Sequence, residues 1–78
     1  MRKAAKVDDN QAEIVAALRR LGATVQPLHA VGDGCPDLLV GWRGRNILLE
    51  VKDGNKSLSR QQLTDDQHKW HRTWCGQV

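Results

Sequence analysis

Asp37-Leu38-Leu39-Val40-Gly41-Trp42-Arg43-Gly44-Arg45-Asn46-Ile47-Leu48-Leu49-Glu50-Val51-Lys52 decides the fold, because two apolar, strand-forming runs flank a short polar break containing glycine. The runs 37–42 and 47–52 predict two antiparallel strands, and Arg43-Gly44-Arg45-Asn46 predicts the connection between them. With the turn centred between Gly44 and Arg45, period-two alternation puts Leu38, Val40, Trp42, Ile47, Leu49 and Val51 on one face. That face is apolar throughout and must be buried against helices. The other face then carries Asp37 across from Lys52, and Glu50 one pair further along across from Leu39. Two carboxylates and an amine converge at one end of the hairpin, an arrangement that no requirement of stability explains. Carboxylates so close repel unless a proton or a cation sits between them, and Mg²⁺ takes carboxylate, carbonyl and water oxygens. Such an ion lowers the pKa of bound water and neutralises a phosphoryl oxygen, while a nearby ammonium orients the nucleophile or stabilises developing charge. This is the equipment of phosphodiester hydrolysis.

Upstream, Val31-Gly32-Asp33-Gly34-Cys35-Pro36 reads as a loop that feeds the hairpin, and 23–28 reads as a first strand with Pro27 at an edge or an end. Before it, Asn10 and Glu13 have capping-box spacing, and Ile14, Ala17, Leu18 and Leu21 form an amphipathic helix stripe. Gly22 falls at the left-handed C-cap of that helix. Residues 1–7 lack any buried periodicity and are expected to be a basic, flexible tail, which leaves 8–78 as a single domain. Downstream, 53–60 is polar and flexible, and Thr64 with Gln67 forms a second capping box. A second helix is predicted from about Asp65 to Trp74, with Gly76-Gln77-Val78 resembling the entry to a further strand.

A chain of 78 residues, 40% hydrophobic and 27% charged, has room for one modest core, so metal binding or dimerisation is an expected support. The excess of 12 Lys+Arg over 9 Asp+Glu, a net charge of +3, is compatible with a phosphate-rich partner but too mild to establish one. Cys35 and Cys75 alone make no disulfide framework, which points to a reducing compartment. No apolar run follows the basic N-terminus, so neither a signal peptide nor a membrane span is read, and a cytoplasmic protein is expected.

Pro36-Asp37, a twelve-residue spacing, and Glu50-Val51-Lys52 resemble the signature of the PD-(D/E)XK nuclease superfamily. The wider string Gly32-Asp33-Gly34-Cys35-Pro36-Asp37-Leu38-Leu39-Val40-Gly41 and the Leu63-Thr64 to Gln67 segment look most like its VRR-NUC and Holliday-junction-resolvase-like branch, common in bacteriophages. The resemblance covers roughly residues 9–78. It implies an α/β, restriction-endonuclease-like core of order α-β-β-β-α(-β), with a mixed sheet flanked by helices. It further implies Asp37 and Glu50 as Mg²⁺ ligands with Mn²⁺ able to substitute, the main-chain carbonyl of Val51 as another ligand, and Lys52 as the catalytic lysine. Glu13 matches the acidic residue that many relatives carry on the first helix in support of the metal, and Gln67 matches a supporting position on the second. The family strand after the second helix is represented only by Gln77-Val78, so the core is truncated there or completed by a partner chain. Relatives of this size act as homodimers on branched DNA, which makes DNA and a second copy the expected partners, in the cytoplasm of a bacterium or a phage-infected host.

Bland readings stand beside these. Glu13 and Gln67 each serve as the second member of a capping box, and the hairpin end could be an exposed ion pair. Lys56, Arg60, Lys69 and Arg72 are the favoured DNA-phosphate contacts, with Arg43 and Arg45 in the hairpin turn as further cations. No base-reading motif is visible, so backbone or shape recognition is expected. Two other functions compete with the nuclease. One is a nuclease-fold DNA-binding or accessory protein that does not cut. The other is a zinc-stabilised interaction domain using His68, His71 and Cys75 with Cys35 or His29, which no CxxC pair supports.

Overall fold

The computed structural model describes residues 9–78, so the expected tail at 1–7 lies outside the described residues. In chain order the elements are α1 (Gln11–Arg20), β1 (Thr24–Pro27), β2 (Leu38–Trp42), β3 (Arg45–Leu49), α2 (Leu58–Gln61) and α3 (Asp65–Thr73). The strands form one sheet in the order β1-β2-β3, antiparallel at both junctions. A mixed sheet was expected, but no parallel pair occurs among the described residues. Parallel neighbours need a long crossover, and the connections between these strands are short.

The hairpin turn is tighter than the sequence reading had it. Trp42 pairs with Arg45, Val40 with Ile47 and Leu38 with Leu49, which leaves only Arg43 and Gly44 in the loop. Both have positive φ, 50° and 78°, as a type I′ turn demands. Relative to the expected register the strands have slipped by two residues, a full side-chain period, so every residue keeps its face. All six residues of the expected apolar face accordingly lie in or against the core. Leu38, Val40 and Val51 are buried with Val15 and Ala23, and Trp42, Ile47 and Leu49 pack around them.

Helix α1 covers this face. It buries Val15 and Gln11 and packs Ile14 and Leu18 against the sheet residues, while Leu21, expected in the stripe, is 70% exposed. The helix ends there: Leu21 is the C-cap and Gly22 takes φ 95°. Ala23 N donates to Leu18 O and Gly22 N to Arg19 O, which is the Schellman pairing that a C′ glycine permits. At the other end Asn10 occupies the N-cap position, but in a helical conformation and without a side-chain cap bond, so the capping box expected with Glu13 does not form. Instead Asn10 Nδ2 donates to Lys52 O at 3.3 Å, tying the helix start to the strand end.

On the opposite face, Leu39 and Leu48 floor a groove of about 400 Å³ whose far wall is Trp70 and Trp74 of the α3 region. The two indoles stack at 4.4 Å with planes 17° apart. Helix α3 stops at Thr73, one residue earlier than expected, with Trp74 as its extended C-cap. The helix is anchored at its other end, where Gly34 lies against the backbone of Asp66 and Gln67. Gly76-Gln77-Val78, read as the entry to a further strand, take no strand conformation, yet Gln77 reaches the sheet through its side chain. Leu48 N donates to Gln77 Oε1 at 2.8 Å, and Gln77 Nε2 donates to Leu48 O at 3.2 Å. The segment 53–60, read from sequence as flexible, runs into the single turn α2 over Leu58–Gln61, where Gln61 Nε2 donates to Lys56 O. No described helix is long and apolar enough to cross a membrane.

Two glycines separate backbone strain from steric contact. Gly44 has φ 78° and open space where a Cβ would stand, whereas Gly34 has φ 82° and its Cβ would come within 2.9 Å of Gln67 N and closer still to Asp66. Gly44→Ala is expected to lower stability by about 1 kcal/mol through conformation alone. Gly34→Ala should cost clearly more, because α3 must shift as well. Chemical denaturation of both variants checks the order, and equal losses would show that Gly34 does not hold α3 in place.

Candidate active site

Pairing of β2 with β3 ends at Leu38 and Leu49. Two residues further back, Pro36 has no N–H to offer a carbonyl of the facing segment. The Val51 amide donates to the Asp37 carboxylate, to Oδ2 at 2.7 Å. On its other side the main-chain carbonyl of Asp37 accepts from Leu28 N at 2.7 Å. Asp37 is therefore fixed from both neighbouring segments and buried to 5% exposure, a position that a carboxylate rarely occupies without partners.

The observed register changes the neighbours expected for this residue. Leu39 pairs with Leu48 rather than Glu50, so the ladder extended by one step sets Asp37 level with Glu50, not with Lys52. The ladder itself stops one pair short of these two carboxylates, and Lys52 follows Glu50 by two residues. A thiol registers the resulting field. Burial pushes the Cys35 thiol up from its ordinary range, and the charges of Glu50 and Asp37 push it further in the same direction.

Lys52 is held at both ends. Its carbonyl accepts from Asn10, and its ammonium donates to Gln67 Oε1 at 2.8 Å. The same Oε1 accepts from Thr64 N at 2.9 Å, while Gln67 N donates to Thr64 Oγ1 at 3.2 Å. The capping role and the supporting role of Gln67 are therefore both realised, through one shared oxygen.

Glu13 is exposed in the first turn of α1. The inward residue of that turn is Gln11, 3% exposed, whose Oε1 has no hydrogen-bond partner, and the Oδ1 of Asn10 is likewise buried and unpartnered. Sequence reading missed Gln11 because polar residues are normally assigned outward. The signal was available, since Gln11 stands three and four residues before Ile14 and Val15 and seven before Leu18.

Beyond Lys52 the chain is more ordered than its composition implies. Asp53 is 8% exposed and its Oδ1 accepts from Asn55 N at 2.9 Å, a turn closed by Lys56 N donating to Asp53 O. Lys56 is engaged by Asp9 at 2.8 Å, and the hydrogen-bonded Asp9 carboxylate raises its ammonium above the ordinary lysine value. Arg60, Lys69 and Arg72 are exposed. Cys35 and Cys75 are free thiols, and among the described residues no three His, Cys, Asp or Glu gather to hold a metal, so the alternative zinc set is not brought together.

The candidate donors are hard oxygens: the Asp37 and Glu50 carboxylates, both of which bear on the Cys35 thiol, and the main-chain carbonyl of Val51, whose amide holds Asp37. That chemistry fits Mg²⁺ or Mn²⁺, which complete their shells with water, and does not fit a thiolate-seeking ion. In comparisons with protein-family models, with curated proteins and with solved structures, the chain matches none.

The thiol offers a direct test of the acidic pair. At about pH 8, iodoacetamide should label Cys35 several-fold more slowly than exposed Cys75, because its thiolate fraction is smaller. Glu50→Gln removes one negative charge, lowers the thiol pKa and should narrow that gap. An unchanged ratio would place Glu50 outside the thiol's field. For the helix cap, Thr64→Ala is expected to cost about 1 kcal/mol in thermal or chemical denaturation.

Proposed function

We propose that this chain is a metal-dependent DNA endonuclease of the PD-(D/E)XK type, built on a restriction-endonuclease-like core. The observation that supports the reading is that Asp37 and Glu50 both act on the Cys35 thiol from the end of the hairpin, with Lys52 two residues beyond Glu50 and its ammonium bonded to Gln67. Asp37, Glu50 and the carbonyl of Val51 are the groups that would hold Mg²⁺, or Mn²⁺ in its place. When bound, the ion supplies a water of lowered pKa and neutralises charge on the phosphoryl oxygens. Gln67 fixes the direction of the Lys52 ammonium, which stabilises charge as it develops on the phosphate or guides the attacking water. Asp37 keeps its orientation through the Val51 amide, so the ligand geometry does not depend on side-chain freedom.

Arg60, Lys69 and Arg72, exposed on α2 and α3, are the cations available for DNA phosphates, whereas Lys56 is occupied by Asp9. With no base-reading motif, selectivity for DNA structure, such as a branched junction, is favoured over sequence. A homodimer acting on both arms of such a junction fits this reading, and two free thiols suit a reducing cytoplasm. A second reading is a nuclease-fold DNA-binding or accessory protein that does not cut.

The test is cleavage of supercoiled plasmid, linear duplex and four-way-junction DNA with Mg²⁺, Mn²⁺ or EDTA. Cutting should require metal and fall by about 100-fold or more in Asp37→Ala and in Lys52→Ala. Gln67→Leu should lose roughly tenfold, with Lys52 present but unguided. A folded parent that binds DNA without cutting would establish the non-cutting role, and cutting that persists in EDTA would remove the metal from the mechanism.

A further inference from the structure

We propose that the outer edge of β3 is a two-fold interface, at which β3 pairs antiparallel with β3 of a second copy about Leu48 and joins two three-stranded sheets into one. This goes beyond the nuclease reading, which does not say where two copies would meet.

Three observations point there. The first is the Gln77 side chain. Leu48 donates its N–H to, and accepts at its C=O from, one amide group. That double exchange is the pattern of a hydrogen-bonded antiparallel residue pair. The Leu48 edge therefore has the geometry to receive a peptide unit, and Gln77 is the group that a second strand would displace.

The second is the pattern of the strand itself. A two-fold axis at Leu48 sets Leu48 against Leu48 of the second copy, Ile47 against Leu49, and Asn46 against Glu50, the residue directly after β3. Each pairing is apolar with apolar or amide with carboxylate, and no like charges meet. Arg45 falls beyond the last of these pairs. An interface between identical copies must be self-complementary, and this strand is so in this register.

The third is the ground beside the edge. Leu48 is part of the apolar groove floor, with Leu39 beneath and Trp70 and Trp74 across from it. Trp74 is 48% exposed, so apolar surface beside the Leu48 edge stays accessible to a second copy. Apart from the Gln77 amide, nothing in β3 guards this edge with lysine or proline, and an apolar edge of that kind pairs. The arrangement would also bring Asn46 of each copy beside Glu50 of the other, at the carboxylate end of the hairpin.

Sedimentation equilibrium without metal or DNA tests the interface on four proteins: the parent, Asn46→Glu, Asn46→Lys and Gln77→Ala. Asn46 is exposed in the single chain, so both of its substitutions leave the fold intact. Asn46→Glu places like charges at two symmetric contacts and should weaken the dimer about threefold to tenfold, while Asn46→Lys should tighten it by a similar factor. Gln77→Ala removes the competing amide and should tighten it too. A parent that stays monomeric up to millimolar concentration, or a dimer whose affinity does not move in opposite directions with the two charges, overturns the proposal. The cleavage assay on the same preparations keeps the two readings apart: metal-dependent cutting by a strict monomer sinks the interface and spares the nuclease, and a charge-sensitive dimer that never cuts does the reverse.

Discussion

The bond from the Val51 amide to the Asp37 carboxylate is the joint on which the rest of the site depends. Regular pairing of β2 and β3 ends at Leu38 and Leu49, and just beyond it a buried acid, Asp37, takes the Val51 amide. Glu50 and Lys52 follow the last ladder pair, so their placement depends on how this end of the hairpin is closed. Burying a carboxylate costs several kcal/mol unless it is bonded, and the joint supplies one such bond at 2.7 Å.

The elements that were legible in the sequence are those set by local rules. Gly22 closes α1 as a left-handed residue should, Thr64 and Gln67 make the expected box, and the apolar face of the hairpin contains the six residues that alternation assigns to it. The register was not legible because it turns on Arg43 adopting φ 50°, a conformation that arginine seldom takes. A sequence reader placing Gly44 near the middle of a longer turn moves every pair by two, preserves the faces and misassigns the neighbours. The two faces were therefore read correctly while the residue facing each position was displaced by two.

The helix contribution shows a different limit. Glu13 attracts attention because it is acidic, yet α1 turns it to solvent and buries Gln11. Which polar residue of a turn faces inward depends on where the helix docks, and Asn10 fixes that docking through Lys52, forty-two positions away. No local pattern carries this information. Likewise, the order within 53–61 comes from Asp53 and Gln61 bonding to nearby backbone, in a segment whose composition alone reads as flexible.

The identity of residue 67 has a consequence of its own. Gln67 presents a neutral oxygen to the Lys52 ammonium, so it aims the cation without cancelling it. A glutamate there would reach equally far and would cap the helix as well, but it would neutralise the lysine and add a third acid beside Asp37 and Glu50. Choosing the amide keeps the local sum at two negative charges and one positive. In the proposed nuclease that residual negative charge is what a divalent cation would offset, whereas a carboxylate at position 67 would deepen it by one unit and occupy the lysine.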